Sequence, residues 1–175
     1  MNIFIVDRDP VTAATLLPDR HVVKMSLETC QLLSIVYSDW YHGWGDLHKQ
    51  DGTPYSTSKG AFRNHPCTKW VAESYDNLFW LLSHGLGLCE EYTYRYGKRH
   101  ACHDTIEEAL SIFGVKAPVC VGPKVSSFVR AMPDEFKLNK NIDDVTAYRL
   151  YVASKPWVKN NYLRKPDRKP SWVPD

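Results

Sequence analysis

The chain lacks both a long hydrophobic run and a strong charge of either sign. No apolar stretch in its 175 residues reaches the roughly 18 residues that a membrane span requires. The net charge is only +2, so no overall field points to a nucleic-acid partner. The first residues become acidic at Asp7, too soon for a signal peptide. We therefore expect a cytoplasmic protein (in the host cell, if it is viral) with no membrane partner.

Cysteine and glycine patterns exclude further classes of protein. The five cysteines are scattered and form no Cys-x-x-Cys pair, which predicts free thiols in a reducing compartment. No Gly-x-Gly-x-x-Gly or Walker-type loop is present, so the use of a nucleoside triphosphate has no support. His100, Cys102 and His103 do not have the spacing of a structural zinc site. We expect neither a metal nor a cofactor.

The composition and periodicity predict one compact, mainly α domain. With 43% hydrophobic and 24% charged residues, the chain is an ordinary globular protein of single-domain length. Proline, glycine and capping residues separate the predicted helices, which cover residues 11–17, 20–37, 66–96, 104–113 and 142–153. We expect a short strand over residues 2–6, a helical domain over 1–154, and an extended tail over 155–175 that packs on the same domain.

Some local signals add detail to these helices. Asp9 and Asp19 are candidate N-caps, and the glycines Gly85 and Gly87 suggest a bend in the long helix over 66–96. Gly97 is expected to end this long helix, and Gly114 is expected to close the next one. A connector containing Gly122 and Pro123 then leads to one or two helical turns over 125–131.

Four polar residues line one face of the predicted helix over 20–37. His21, Lys24, Glu28 and Gln31 are spaced three, four and three apart, while the rest of the helix is largely apolar. In one interpretation this face is solvated and Lys24 pairs with Glu28. In the other it is a catalytic row: Glu28 is the acid/base, His21 a second proton carrier or phosphate contact, and Lys24 a tuner of Glu28 or an amine nucleophile.

Two internal segments are candidates for binding, in addition to the tail. In Arg63-Asn64-His65-Pro66, Asn64 either caps a helix, or Arg63 and the helix N-terminus grip a phosphate. Residues 91–100 interleave tyrosines with bases, including Arg95 and Lys98, which suits either base stacking or ordinary packing.

The tail concentrates positive charge. Six bases against one acid lie between Lys155 and Lys169, among the aromatic residues Trp157, Tyr162 and Trp172. Such a segment either contacts phosphates and stacks on a distorted base step, or wraps its own core.

The run Asp19-Arg20-His21-Val22…Glu28 resembles the phage pyrimidine-dimer DNA glycosylases of the endonuclease V type. In those enzymes an Asp-x-His opens a helix, and the catalytic Glu follows seven residues after the His. Arg63-Asn64-His65-Pro66 resembles a motif of their bacterial relatives, and Lys169-Pro170-Ser171-Trp172 is similar to the basic-Pro-Thr-Trp before their DNA-contacting tail. The chain also resembles an uncharacterised group of small phage proteins.

The resemblance implies a helical fold that binds damaged or modified duplex DNA on a concave face. An amine would attack C1′ of the sugar and release the base, and the Schiff base would permit β-elimination, with no metal. The family uses the α-amine of a small second residue after loss of Met1, whereas Asn2 is bulky here; Leu27 also stands where the family has Arg. The nucleophile therefore stays open between Met1, Asn2 and Lys24, unless lyase activity is lost.

Two sets of site residues follow from the stripe, the segments and the resemblance together. The catalytic set is Glu28, His21, Lys24, Gln31, Met1 and Asn2. The nucleic-acid-binding set is Arg20, Arg63, Asn64, His65, Arg95, Lys98, Lys169 and Trp172.

The preferred hypothesis is a base-excision glycosylase, with or without lyase activity. One alternative is a non-catalytic phage protein that binds nucleic acid or a host protein through its tail. Another is an enzyme of a small nucleotide or metabolite, with the polar stripe in a closed pocket. Steep weakening by salt would favour DNA binding over a small-molecule site.

Overall fold

The helix that carries the polar stripe runs from Asp19 to Tyr37 and is buried along most of its length. In the computed structural model, which describes residues 1–118 and 125–175, it is the second of seven α-helices. The helices are α1 (Pro10–Leu16), α2 (Asp19–Tyr37), α3 (Pro66–Glu73), α4 (Tyr75–Tyr96), α5 (His103–Lys116), α6 (Asp134–Lys137) and α7 (Asp144–Ala153). Short 3₁₀ turns occupy Ser56–Lys59, Val158–Asn160 and Pro166–Arg168. The mainly α fold is confirmed.

The long helix α4 packs against α1, α2, α3 and α5 and so joins most of the core. Its two internal glycines allow this close packing. A Cβ at Gly85 would lie 2.7 Å from a Thr29 methyl, and one at Gly87 would lie 3.2 Å from the Ala14 Cβ. The glycines predicted to bend the helix therefore bring it close to α2 and α1, and the helix continues through both.

Helix boundaries follow capping groups, which explains where the sequence prediction was right. Asp9 accepts the Thr12 N–H at the start of α1, and Gly97 ends α4 with φ +69°. The predicted helix over 66–96 is instead two helices, because the Ser74 side chain accepts the Asn77 N–H and starts α4. Gly114 lies inside α5, which ends at Lys116.

The predicted strand over residues 2–6 is wrong, and the described residues contain no strand. The Asn2 Oδ1 accepts the N–H groups of Ile3 and Phe4, and Phe4 turns into the left-handed region with φ +57°. Ile5 and Val6 are buried because they pack in the helical core, without a pairing partner strand.

The turns predicted over 125–131 are not helical either. Side chains satisfy this backbone instead: Asn77 accepts the Ser126 N–H, Trp70 donates to the Ser127 carbonyl, and Tyr148 donates to the Val129 carbonyl. The connector with Gly122 and Pro123, like Cys120, lies outside the described residues.

The described cysteines and helices bear on two further expectations. Four cysteines are free and buried: Cys30, Cys67, Cys89 and Cys102. Among the described residues, no helix combines the length and the apolar character needed to cross a bilayer.

Candidate active site around Glu28

Glu28 is buried in the middle of α2, with 7% of its surface exposed, and three nitrogen groups approach its carboxylate. The Asn2 backbone N–H donates to Oε2 at 2.8 Å, and the Met1 amine lies 3.9 Å from the same oxygen. The Lys24 Nζ lies 3.2 Å from Oε1, one helical turn away. Three of the residues predicted as alternative nucleophiles therefore surround one carboxylate.

The N-terminal segment is held against Glu28 by its own side chains. Only 2% of the Met1 side chain is exposed, because it packs against the core. The Asn2 Nδ2 donates to the Ala131 carbonyl at 2.6 Å, which ties residue 2 to a segment far along the chain. Phe4 then turns the chain with a positive φ that bulky residues rarely adopt. This arrangement orders the terminal amine before any substrate binds.

His21 lies between the N-terminal segment and the tail. Its ring stacks on Phe4 at 4.1 Å and meets Trp157 edge-on at 5.4 Å, and its Nδ1 is buried without a hydrogen-bond partner. Burial, and then the charges of Lys155, Lys24 and Arg20, lower the pKa of His21 to about 3. His21 is therefore neutral at neutral pH, which favours packing over the roles of proton carrier and cationic phosphate contact.

The Arg63–Pro66 motif joins the same site through His65 and Cys67. The His65 Nδ1 accepts the Cys67 N–H at the start of α3. Burial and the nearby Met1 amine lower the pKa of His65, while Glu28 acts in the opposite direction. Burial raises the pKa of the Cys67 thiol to about 12, so this cysteine is not a thiolate nucleophile.

The tail is fastened to α2 and α4 by a buried network of charges. Arg95 is fully buried and pairs with Asp19 at 3.0 Å and with Glu91 at 2.8 Å. Arg168 of the tail adds a second ion pair to Glu91, at 3.1 Å. The second Asp19 oxygen accepts the N–H groups of Leu163 and Arg164, both in the tail. Its burial removes Arg95 from the residues that DNA could contact, which corrects the sequence prediction.

Asn161 of the tail also caps the N-terminus of helix α2. Its side chain accepts the Arg20 N–H at 2.8 Å, and its carbonyl accepts the Asp19 N–H at 2.8 Å. Asp19 is therefore the first residue of α2, and the capping group comes from the tail. The sequence suggested Asp19 itself for that role.

Three cations of the tail lie over tyrosines at the end of α4. Lys165 and Arg168 lie 4.2 and 4.9 Å from the Tyr94 ring centre, and Arg164 lies 5.1 Å from that of Tyr96. We call this surface the cation–tyrosine face. The two segments that the sequence treats separately, residues 91–100 and the tail, thus form one surface.

The other predicted binding residues are dispersed. Arg20 lies over Trp157 at 5.0 Å, and Arg63 lies over Trp40 at 4.3 Å. Lys98 is exposed, Lys169 pairs with Asp175, and Trp172 packs partly on the core. Asn64 is exposed, and His65 caps α3 in its place. Gln31 is half-buried, one turn beyond Glu28 on α2.

Away from Glu28, one group of side chains among the described residues has the composition of a metal site. Ligand atoms of His103, Asp104 and Glu107 lie within 4.8 Å of one another. Arg99 already pairs with Asp104 at 2.6 Å and with Glu107 at 2.8 Å. The carboxylates are therefore satisfied within a surface ion-pair cluster.

Sequence reasoning missed Phe4, Trp40 and Phe62 as parts of the site's surroundings. Phe4 packs on His21, while Trp40 and Phe62 are exposed in the loop that leads to His65. No sequence signal marks Trp40. Phe4 and Phe62 both have a positive φ, which phenylalanine rarely adopts, so no sequence pattern predicts their conformation.

A protein-family model described as pyrimidine dimer DNA glycosylase matches residues 1–104. The match spans the N-terminal segment, Glu28 and the Arg63–Pro66 motif, and it ends before the tail. No curated protein and no solved structure matches the chain.

Proposed function

The chain belongs to the pyrimidine dimer DNA glycosylase family, and from this premise we propose that it excises a damaged base with an amine nucleophile and Glu28. The observation that carries the proposal is the convergence of the Met1 amine, the Asn2 nitrogen and Lys24 on one buried carboxylate. A carboxylate in that position serves both to accept protons from an attacking amine and to stabilise a sugar cation.

The reaction proceeds by exchange at C1′ of the damaged nucleotide. The amine lone pair forms a bond to C1′ while the glycosidic bond breaks. The electron pair of the glycosidic bond leaves with the base, which takes up a proton. Glu28 accepts a proton from the attacking nitrogen. The nitrogen lone pair then forms the C1′=N bond of an iminium ion while the C1′–O4′ bond breaks, and O4′ takes up the proton that Glu28 accepted. Loss of a C2′ proton expels the 3′-phosphate by β-elimination and cleaves the strand.

Among the three nitrogens we propose the N-terminal α-amine. The Met1 side chain is packed in the core, so its amine is held in place at the carboxylate, whereas 70% of the Lys24 side chain is exposed. Ordering in advance lowers the entropic cost of reaching the transition state. The Asn2 nitrogen is an amide while Met1 is attached, and removal of Met1 would turn it into an amine already 2.8 Å from Glu28.

Damaged duplex DNA would lie across the exposed side of α2 and the adjoining tail. Arg20 and Lys24 are exposed on α2, and the cation–tyrosine face continues the positive surface beyond its N-terminal end. Cations on such a surface contact phosphates, and tyrosine rings stack on bases.

The test is trapping with borohydride on three duplexes: undamaged, ultraviolet-irradiated and abasic. We expect a covalent adduct on the irradiated and abasic DNA only, because borohydride reduces the iminium ion. Peptide mapping should place the adduct on the N-terminal residue. A Lys24→Met variant should still be trapped.

A chain extended by two residues at its N-terminus is the matched control. The extension moves the amine away from Glu28, so it should abolish trapping while binding to damaged duplex persists. An adduct on Lys24 would overturn the choice of nucleophile. Base release from irradiated DNA is scored as alkali-labile sites, because a base in a pyrimidine dimer stays joined to its neighbour after its glycosidic bond breaks. Absence of any adduct and of any alkali-labile site would overturn the proposed reaction.

A further inference from the structure

Two non-glycine residues in the described chain have a positive φ, one in the N-terminal segment and one in the loop before α3. Phe4 has φ +57° and Phe62 has φ +61°. Bulky residues seldom adopt this region, and such strain is found mostly at functional sites. Phe4 is buried and stacks on His21. Phe62 has no comparable packing: 56% of its surface is exposed.

The backbone of Phe62 is firmly held despite this exposure. Its carbonyl accepts the His65 N–H and the Thr68 hydroxyl, each at 2.9 Å. Within the described part of the chain, its ring packs on no other aromatic ring. The fold therefore fixes a strained residue whose large apolar side chain faces outward.

A platform of neighbouring residues supports the same loop. The Arg63 guanidinium lies over the Trp40 ring and donates to the Gly60 carbonyl at 3.2 Å. A Cβ at Gly60 would lie 2.5 Å from the Trp40 Nε1, so only glycine permits this contact, and its φ of +98° also suits glycine. The Tyr41 hydroxyl donates to the Arg63 carbonyl at 2.6 Å.

The loop leads into α3, which packs against α2, the helix that carries Glu28. His65 is hydrogen-bonded to the Phe62 carbonyl, and the charges of the Met1 amine and Glu28 both act on the pKa of His65. A groove of about 290 Å³ is lined by Gly60, Phe62, Arg63, Asn64 and His65. An exposed ring on a rigid loop thus lies three residues before His65, the residue that links this loop to the Glu28 site.

We propose that Phe62 inserts into the DNA stack beside the damaged nucleotide, with Arg63 on the adjacent phosphate. This inference rests on the proposed function. Apolar side chains that enter a base step hold the duplex open, and stacking on the exposed base offsets part of the lost base stacking. Phe62 would occupy the space that the displaced nucleotide leaves.

The test compares Phe62→Ala, Phe62→Gly and Phe62→Trp with a control, Phe79→Ala, which removes an exposed ring on α4. We expect Phe62→Ala to slow base release from irradiated duplex by roughly 10- to 100-fold, from the value of one base–aromatic stack. Phe62→Trp should retain most activity, and Phe79→Ala should match the wild type.

Two readouts separate insertion from a structural role. Phe62→Gly should be as slow as Phe62→Ala on duplex without a lower melting temperature, because glycine relieves the positive φ. Borohydride trapping on an abasic single strand, which needs no opening of a duplex, should be unchanged in both variants. 2-Aminopurine beside the lesion should brighten when wild-type protein binds but not when Phe62→Ala binds.

A Phe62→Ala variant that releases base from duplex at the wild-type rate would overturn the insertion. So would equal losses on duplex and on the abasic single strand. If the wild-type protein releases no base and forms no adduct, the proposed function itself has failed, which is a distinguishable result.

Discussion

Glu28 on α2 and Glu91 on α4 are both buried glutamates, and each has a basic residue four positions away on its helix. Lys24 lies 3.2 Å from Glu28, and Arg95 lies 2.8 Å from Glu91. The exposed fraction is 7% for Glu28 and 4% for Glu91. By burial and helical spacing alone, the two positions are equivalent.

Their partners differ in kind. Both Glu91 oxygens accept hydrogen bonds from guanidinium groups, those of Arg95 and Arg168. An arginine keeps its proton and has a planar fork that matches a carboxylate. Glu28 instead has an exposed lysine, a backbone N–H and the terminal amine. Lysine and α-amines can give up a proton and become nucleophiles.

In this pair of glutamates, the chemistry of the cation, more than burial of the acid, distinguishes the carboxylate that we propose to be catalytic from the structural one. Glu91 joins three parts of the chain, since Arg95 also reaches Asp19 and Arg168 belongs to the tail. Glu28 instead contacts one backbone N–H and two groups that could take part in a reaction, Lys24 and the terminal amine.

The largest effect on activity is expected from Glu28→Gln. We expect base release to fall by about 10²- to 10⁴-fold, the usual contribution of a general acid–base group. The Asn2 N–H retains an acceptor in the Gln carbonyl, so melting temperature and binding to damaged duplex should change little. Single-turnover base release, a thermal melt and a binding titration measure the three quantities. Full activity in Glu28→Gln would remove Glu28 from the mechanism.

The matching change at the other glutamate should have the opposite result. Glu91→Gln leaves the buried Arg95 and the half-buried Arg168 short of a negative charge, and breaking a buried pair costs roughly 3–5 kcal/mol. Urea unfolding should show this loss, while activity per folded molecule stays near the wild-type value.

Glu90→Gln is the control, because Glu90 is the exposed neighbour of Glu91. Its change should stay within about 0.5 kcal/mol. If Glu91→Gln is as stable as Glu90→Gln, the charge network does not hold the tail.

The features that sequence predicted correctly are the local ones. The spacing from His21 to Glu28 put both on one helix, and Asp9 and Gly97 marked helix ends because a cap acts within a few residues. The proposal that Glu28 belongs to a site also comes from a short-range pattern and the family resemblance, and it stays a prediction.

What sequence could not supply depends on contacts between distant residues. Arg95 was predicted to bind nucleic acid, and its real partner Asp19 is 76 positions away. No pattern in the first six residues shows that the Asn2 nitrogen reaches Glu28, 26 positions away. Residues 2–6 have a composition typical of a strand but do not form one. A helical core buries branched apolar residues as readily as a sheet does, so composition alone does not separate the two cases.

Two buried histidines are alike in their titration, His21 near the start of α2 and His84 within α4. Burial lowers the pKa of each to about 3, and neither His84 nitrogen has a hydrogen-bond partner. Below pH 6.5 these histidines bind protons in the unfolded chain but stay unprotonated in the folded chain. Stability should therefore be constant above that pH with respect to these groups, and fall as pH drops toward 3.

Each such histidine contributes a slope of about 1.4 kcal/mol per pH unit within this window. Urea unfolding at several pH values should show that His84→Leu loses one histidine's share of the wild-type slope. His48 and His100, whose pKa values are raised, act in the opposite direction but are unchanged between the two proteins. Activity per folded molecule should be unchanged in His84→Leu, because His84 is a core residue. Identical slopes in the two proteins would mean that His84 takes up its proton in the folded state.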